Sequence, residues 1–164
     1  MASEISKKLN IDEWRELAKA GANINMKVEP TGVSMRPLIR GGRDVVIVEP
    51  MRREPVRGDI VLFLRADGAQ VMHRVWKIEG ETVTTYGDGC WYPDEPINKE
   101  KIIGLATGLY RGKAGKSKPE GKPINLDTKF RRKTGLLWLN IAPVRRTYYR
   151  MRNIAHSIKR RIIT

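Results

Sequence analysis

Five short runs rich in β-branched residues, Asp44 to Val48, Asp59 to Leu64, Gln70 to Ile78, Thr82 to Tyr86 and Lys101 to Tyr110, limit what this chain can fold into. Valine, isoleucine and threonine lose side-chain freedom in a helix but pack well on a pleated surface. Runs of this length bounded by Gly, Pro and Asp therefore read as strands. Asp67-Gly68 and Glu79-Gly80 lie where hairpins must turn. Connections this short make neighbouring strands antiparallel, so the chain is predicted to be mainly β: a small, partly closed antiparallel β-barrel with a short N-terminal helix and a basic C-terminal helical tail. The helix is placed by Asn10 or Asp12 as N-cap, acids in its first turn and Gly21 as its stop, with Trp14 and Leu17 facing the body.

Four segments follow along the 164 residues: a helix and lead-in over 1–25, a β domain over 26–110, a flexible linker over 111–128 rich in Lys, Gly and Pro, and a basic helical tail over 129–164. In the tail, Pro143 suits the first position of a helix, and Val144, Tyr148, Met151, Ala155, Ile158 and Ile162 recur at spacings of three and four. Charge divides the same way. Residues 1–109 carry 16 basic and 16 acidic side chains, whereas the remainder carries 16 basic and 2 acidic, which accounts for the whole net charge of +14. Any attraction to an anionic surface therefore belongs to the tail, with anionic lipid expected at Arg145, Arg146, Arg152, Lys159 and Arg160 and nucleic acid less so. The single cysteine, Cys90, excludes an intrachain disulfide, and with no zinc-type cluster of Cys and His neither a metal nor a cofactor is expected. No apolar run approaches the roughly 20 residues of a membrane-spanning helix, and residues 1–10 lack a secretory apolar stretch, so a cytoplasmic location is expected.

Chemistry concentrates in a few places. Ser34-Met35-Arg36-Pro37-Leu38 is a turn after an extended segment, Met26 to Val33, and can present one hydroxyl as a nucleophile. A serine needs a base to take its proton and donors for the oxyanion that forms. Of two histidines, His156 lies in the basic tail with no catalytic-looking neighbour, whereas His73 lies in a strand whose alternation puts Val71, His73 and Val75 on one face and Met72, Arg74 and Trp76 on the other. A histidine base is commonly oriented by a carboxylate, and Asp88 and Asp94, both after the fourth strand, are equally eligible. Met35 and Pro37 would wall the site, and the Ser34 amide would serve the oxyanion. Cys90, with no second histidine near it in sequence, reads as incidental.

Ser34-Met35-Arg36-Pro37-Leu38, Arg57-Gly58-Asp59-Ile60-Val61, His73-Arg74-Val75, Gly87-Asp88 with Asp94, and Ile102-Ile103-Gly104, in that order, resemble the type I signal peptidases. The histidine resembles the Ser-His branch of the endoplasmic-reticulum and sporulation type, not the Ser-Lys branch. The likeness covers roughly residues 28–108. It departs from the family where Gly89-Cys90-Trp91 follows Gly87-Asp88, a position that often holds Asn, and in lacking a membrane anchor. It implies a barrel of the signal-peptidase type and a serine endopeptidase acting on a peptide or preprotein leader. Ser34 would be the nucleophile, His73 the base, and Asp94 or Asp88 the orienting acid. An ordinary histidine would then lose activity below about pH 6.5. The rival expectation is a non-catalytic peptide-binding module of the same fold.

Overall fold

The structure, a computed structural model, describes residues 11–112 and 122–141, together with Val144, Thr147 and Met151. It begins with α1 (Ile11–Lys19) and continues through β1 (Met26–Val28), β2 (Val45–Pro50), β3 (Ile60–Leu64), β4 (Gln70–Glu79), β5 (Thr82–Tyr86), β6 (Ile97–Asn98), β7 (Ile102–Tyr110), β8 (Ile124–Asn125) and α2 (Lys129–Asn140). The strands form one antiparallel sheet in the order β1-β2-β7-β3-β4-β5-β6, with β8 paired to β7, curled into a half-barrel. Both ends of that order are strands of two or three residues, which leaves little open edge for unwanted pairing.

Hairpin chemistry sets the register of the central strands. Gly80 at φ 55° and Glu81 close a two-residue turn between Glu79 and Thr82, and Gly68 at φ 78° closes the β3–β4 loop. Val61 lies opposite His73 and Val75 opposite Thr85. Alternation along these strands divides most of the interior between two clusters, with a third, Tyr86 and Leu139, where α2 meets the sheet. One holds Trp14, Met35, Ile39, Val46, Ile60, Leu62, Met72 and Leu126; the other holds Val61, Phe63, Val75, Val83, Ile97 and Leu105. Both faces of β4 are therefore covered, and its neighbours His73 and Arg74 are 6% and 2% exposed.

Three expectations are corrected. Trp14 is buried and its indole nitrogen donates to Ile24 O at 2.8 Å, but Leu17 is exposed. The covered face of α1 runs through Ile11, Trp14, Arg15 and Ala18, and Leu17 lies beside it. The extended stretch before Ser34 forms ladder bonds only over Met26–Val28. Most consequential, the body does not end near Tyr110. Residues 113–121 lie outside the described residues, but beyond them β8 pairs with β7, Leu126 enters the core, and α2 packs against the body. Thr128 caps α2, its hydroxyl accepting from Arg131 N at 3.1 Å. Arg132 then bonds Asp59 and Asp127. Gly58, at φ 94°, is required where it is, since a side chain would meet Arg132 Cβ at 2.7 Å. The Arg57-Gly58-Asp59 block is thus the seat of α2. Of the helix expected from Pro143 onward, Val144, Thr147 and Met151 are described, each helical and exposed, whereas Arg145, Arg146, Arg152, Lys159 and Arg160 lie outside the described residues.

Candidate active site

Strand β4 carries His73 outward from the second cluster, with the ring of Phe63 edge-on at a centroid distance of 6.3 Å. Its Nδ1 lies 2.6 Å from Asp94 Oδ2, and the same oxygen accepts from Thr85 Oγ1 at 2.6 Å. The loop after β5 is folded back for this, since Asp94 N donates to Thr85 O at 2.9 Å. Of the two carboxylates left open by the sequence, Asp94 is the one that meets His73.

Asp88 takes a different partner. Arg74 Nε and Nη2 donate to its two oxygens at 2.8 and 2.7 Å, Arg74 Nη1 donates to Gly58 O at 2.8 Å, and Trp138 of α2 donates to Asp88 O at 2.7 Å. An added Cβ at Gly135 would collide with the Arg74 guanidinium, so the helix lies directly against it. Asp88, the other carboxylate the sequence left eligible, belongs to a buried structural ion pair, because residues 73 and 74 point to opposite faces of β4.

The Ser34 turn is moored at both ends. Met35 is buried in the first cluster at 5% exposure, so it anchors the turn and does not wall the site. Pro37 is exposed, following a cis Arg36–Pro37 peptide. The Ser34 carbonyl accepts from Gly89 N at 2.6 Å. A Cβ at Gly87 would lie 2.7 Å from Ser34 O and 2.9 Å from His73 Nε2, so the serine backbone and the free imidazole nitrogen flank one glycine. Only a glycine fits this approach. Among the described residues the Ser34 hydroxyl makes no hydrogen bond, so the contact between nucleophile and base is not formed in this structure. The amides of Ser34 and Met35 likewise donate to no described residue, which leaves two N–H groups for an oxyanion.

Cys90 was passed over in sequence and belongs here. Its Sγ lies 4.0 Å from His73 Nε2 and 4.0 Å from Ser34 O. Counting histidines along the chain missed it; the four-residue run Gly87-Asp88-Gly89-Cys90, a turn-forming sequence on the loop that holds Asp94, was the signal available. Burial alone would push the His73 imidazolium down, but its hydrogen bonds to Asp94 and Cys90 outweigh that and raise it to about 9. Burial likewise pushes Asp94 up, and the bonds from His73 and Thr85 hold it below the usual carboxylate range.

Among the described residues no three His, Cys, Asp or Glu side chains converge as a metal site, and no helix is long and apolar enough to cross a membrane. No family model, curated protein or solved structure matches the chain.

Proposed function

We propose that the protein is a serine endopeptidase of the signal-peptidase type that cleaves a peptide or preprotein leader. The observation that carries this reading is the His73–Asp94 pair at 2.6 Å, with the opposite imidazole nitrogen turned toward the Ser34 turn. Ser34 Oγ attacks the scissile carbonyl carbon as its proton passes to His73 Nε2. The tetrahedral oxyanion is met by the Ser34 and Met35 amides, and collapse of the intermediate transfers that proton to the departing amine. Water then releases the acyl group from Ser34 by the same route in reverse order. The Ser34 turn is fixed through Met35 and Gly89, and catalytic hydrogen bonds commonly tighten only when substrate binds. Asp94 holds the tautomer that leaves Nε2 free to accept, and Thr85 holds Asp94.

The deciding experiment is cleavage of a leader-peptide library by the wild-type chain and by Ser34→Ala and His73→Ala. Activity retained in either variant defeats the reading. One observation favours a second reading: Cys90 Sγ lies 4.0 Å from His73 Nε2, whereas the Ser34 hydroxyl makes no hydrogen bond with any described residue. A cysteine enzyme would survive Ser34→Ala and be silenced by Cys90→Ala, whereas the serine enzyme reverses both results. A non-catalytic binding module would bind peptide in all three variants and cleave in none.

The barrel type and the cytoplasmic location belong to the same proposal, as does a peripheral seat on anionic lipid. Phe130, Leu137, Ile141, Val144 and Met151 are exposed large apolar side chains in the strongly basic part of the chain, a combination suited to a lipid headgroup region. Flotation with phosphatidylserine vesicles, lost at high salt, tests it.

A further inference from the structure

A cavity of about 260 Å³ opens between the Ser34 turn and α2. Pro37 and Leu38 of the turn and Gly135 and Trp138 of the helix give it apolar walls, and three guanidinium groups, from Arg74, Arg111 and Arg131, reach it. Asp88 is the only carboxylate in its lining, and Arg74 already holds both its oxygens. Arg111 Nη1 donates to Leu38 O at 3.0 Å and to Asp44 Oδ2 at 2.9 Å. Arg131 differs from both. Its side chain is half-buried and makes no hydrogen bond or ion pair with any described residue.

We infer that this cavity takes a carboxylate on a short aliphatic stem, the side chain of a glutamate or aspartate in the peptide substrate. The identity of the ligand rests on the peptidase reading; its charge does not. Arg74 is paired with Asp88 and Arg111 with Asp44, which leaves the Arg131 guanidinium as the charge at the cavity that no described residue meets. A half-withdrawn cation is unfavourable until an anion meets it. The planar fork of an arginine matches a carboxylate with two parallel bonds. The volume is several times the roughly 30 Å³ share of one water, so a side chain fits, and the indole, proline and leucine walls suit its methylenes. The cavity and the candidate active site are built on the same two loops: Pro37 and Leu38 lie three and four residues after Ser34, and Asp88 lies between the glycines that pack against Ser34 O. An acidic residue seated there is held at a fixed few residues from the bond to be cut.

The test uses the full chain carrying Ser34→Ala, so that binding is read without cleavage. Tryptophan fluorescence, to which Trp138 contributes, and the thermal midpoint are followed against N-acetyl-Ala-Glu-Ala-amide, its Gln counterpart and inorganic phosphate. The expected result is saturable binding of the Glu peptide, at least tenfold weaker binding of the Gln peptide and of phosphate, and at least a tenfold loss in Arg131→Gln that is partly restored in Arg131→Lys. Arg131 supports no other described group through its side chain, so the variant keeps the fold. Equal binding of Glu and Gln peptides, phosphate binding as tight as the Glu peptide, no saturation, or an unchanged Arg131→Gln each overturns the inference. Cleavage by the wild-type chain without acidic preference removes the pocket and leaves the peptidase; acidic binding without cleavage does the reverse.

Discussion

His73 and Arg74 are consecutive residues of β4, and each is met by an aspartate from the connection after β5, yet the two pairs are built for opposite ends. Arg74 and Asp88 are 2% and 3% exposed in their side chains, bonded through both oxygens and closed over by Gly135 and Trp138. Every group there has its partner, so the pair can only hold. His73 and Asp94 are 8% and 25% exposed, and the imidazole is held tightly on one nitrogen, while the other meets only a thiol at 4.0 Å beside a serine backbone. The lesson is that a charge pair becomes reactive when one member keeps a bonding site and some access to water. One pair fixes the loop from which the other acts.

The largest effect separating the two should be on chemistry. Ser34→Ala and His73→Ala are expected to lower single-turnover cleavage by on the order of 10⁴-fold or more, with the Ser34→Ala unfolding midpoint close to wild type. Next comes stability. Arg74→Ala or Asp88→Ala strands a buried charge and should cost about 3–5 kcal/mol in urea unfolding; a loss under 1 kcal/mol in both would mean that the pair does not hold the loop. The pH response sharpens the contrast. With His73 raised to about 9, cleavage should climb through about pH 9, and not through the 6.5 of an ordinary histidine, leaving roughly a hundredth of the plateau at pH 7. Asp94→Asn should move that limb down, and an unmoved limb would separate Asp94 from the base. The linked stability has the opposite sense. Because the folded value lies above the unfolded one, the contribution of His73 is complete below about pH 6.5 and disappears as pH rises through about 9. The smallest effect is at the cap: Thr128→Ala should cost about 1 kcal/mol, read as an earlier loosening of α2 by hydrogen exchange.

Much of the sheet was legible because its strands carry their own punctuation. Thr82–Tyr86 begins and ends where the sequence placed it, and the other four main strands differ by one or two residues. Ser34, His73 and Asp94 were legible as candidates, and the structure brings Asp94 to His73 and the Ser34 backbone beside it. Which aspartate serves which residue was not legible. Both follow β5 closely, and the choice depends on how the loop returns to Thr85, a single backbone bond that composition does not encode. The docking of α2 was missed for another reason. Its first half, Lys129, Arg131, Arg132 and Lys133, reads as a solvated basic face, while its contact is made by Gly135, Trp138 and Leu139. A glycine inside a helix costs about 1 kcal/mol relative to alanine, and that was the available sign that something comes close.

The bond from Trp138 to the backbone of Asp88 joins residues 50 apart in the chain, and this gives the protein a history during its own synthesis. At about 5–20 residues per second, Arg74 and Asp88 are made several seconds before the helix that closes over them. For that interval the charge pair is open on one side, and until β7 is made the strands it joins, β2 and β3, have no common partner. The seating of α2 therefore follows the synthesis of every strand of the sheet, and a ribosome that stalls before residue 138 would carry a chain whose Arg74–Asp88 pair lacks its cover from Trp138.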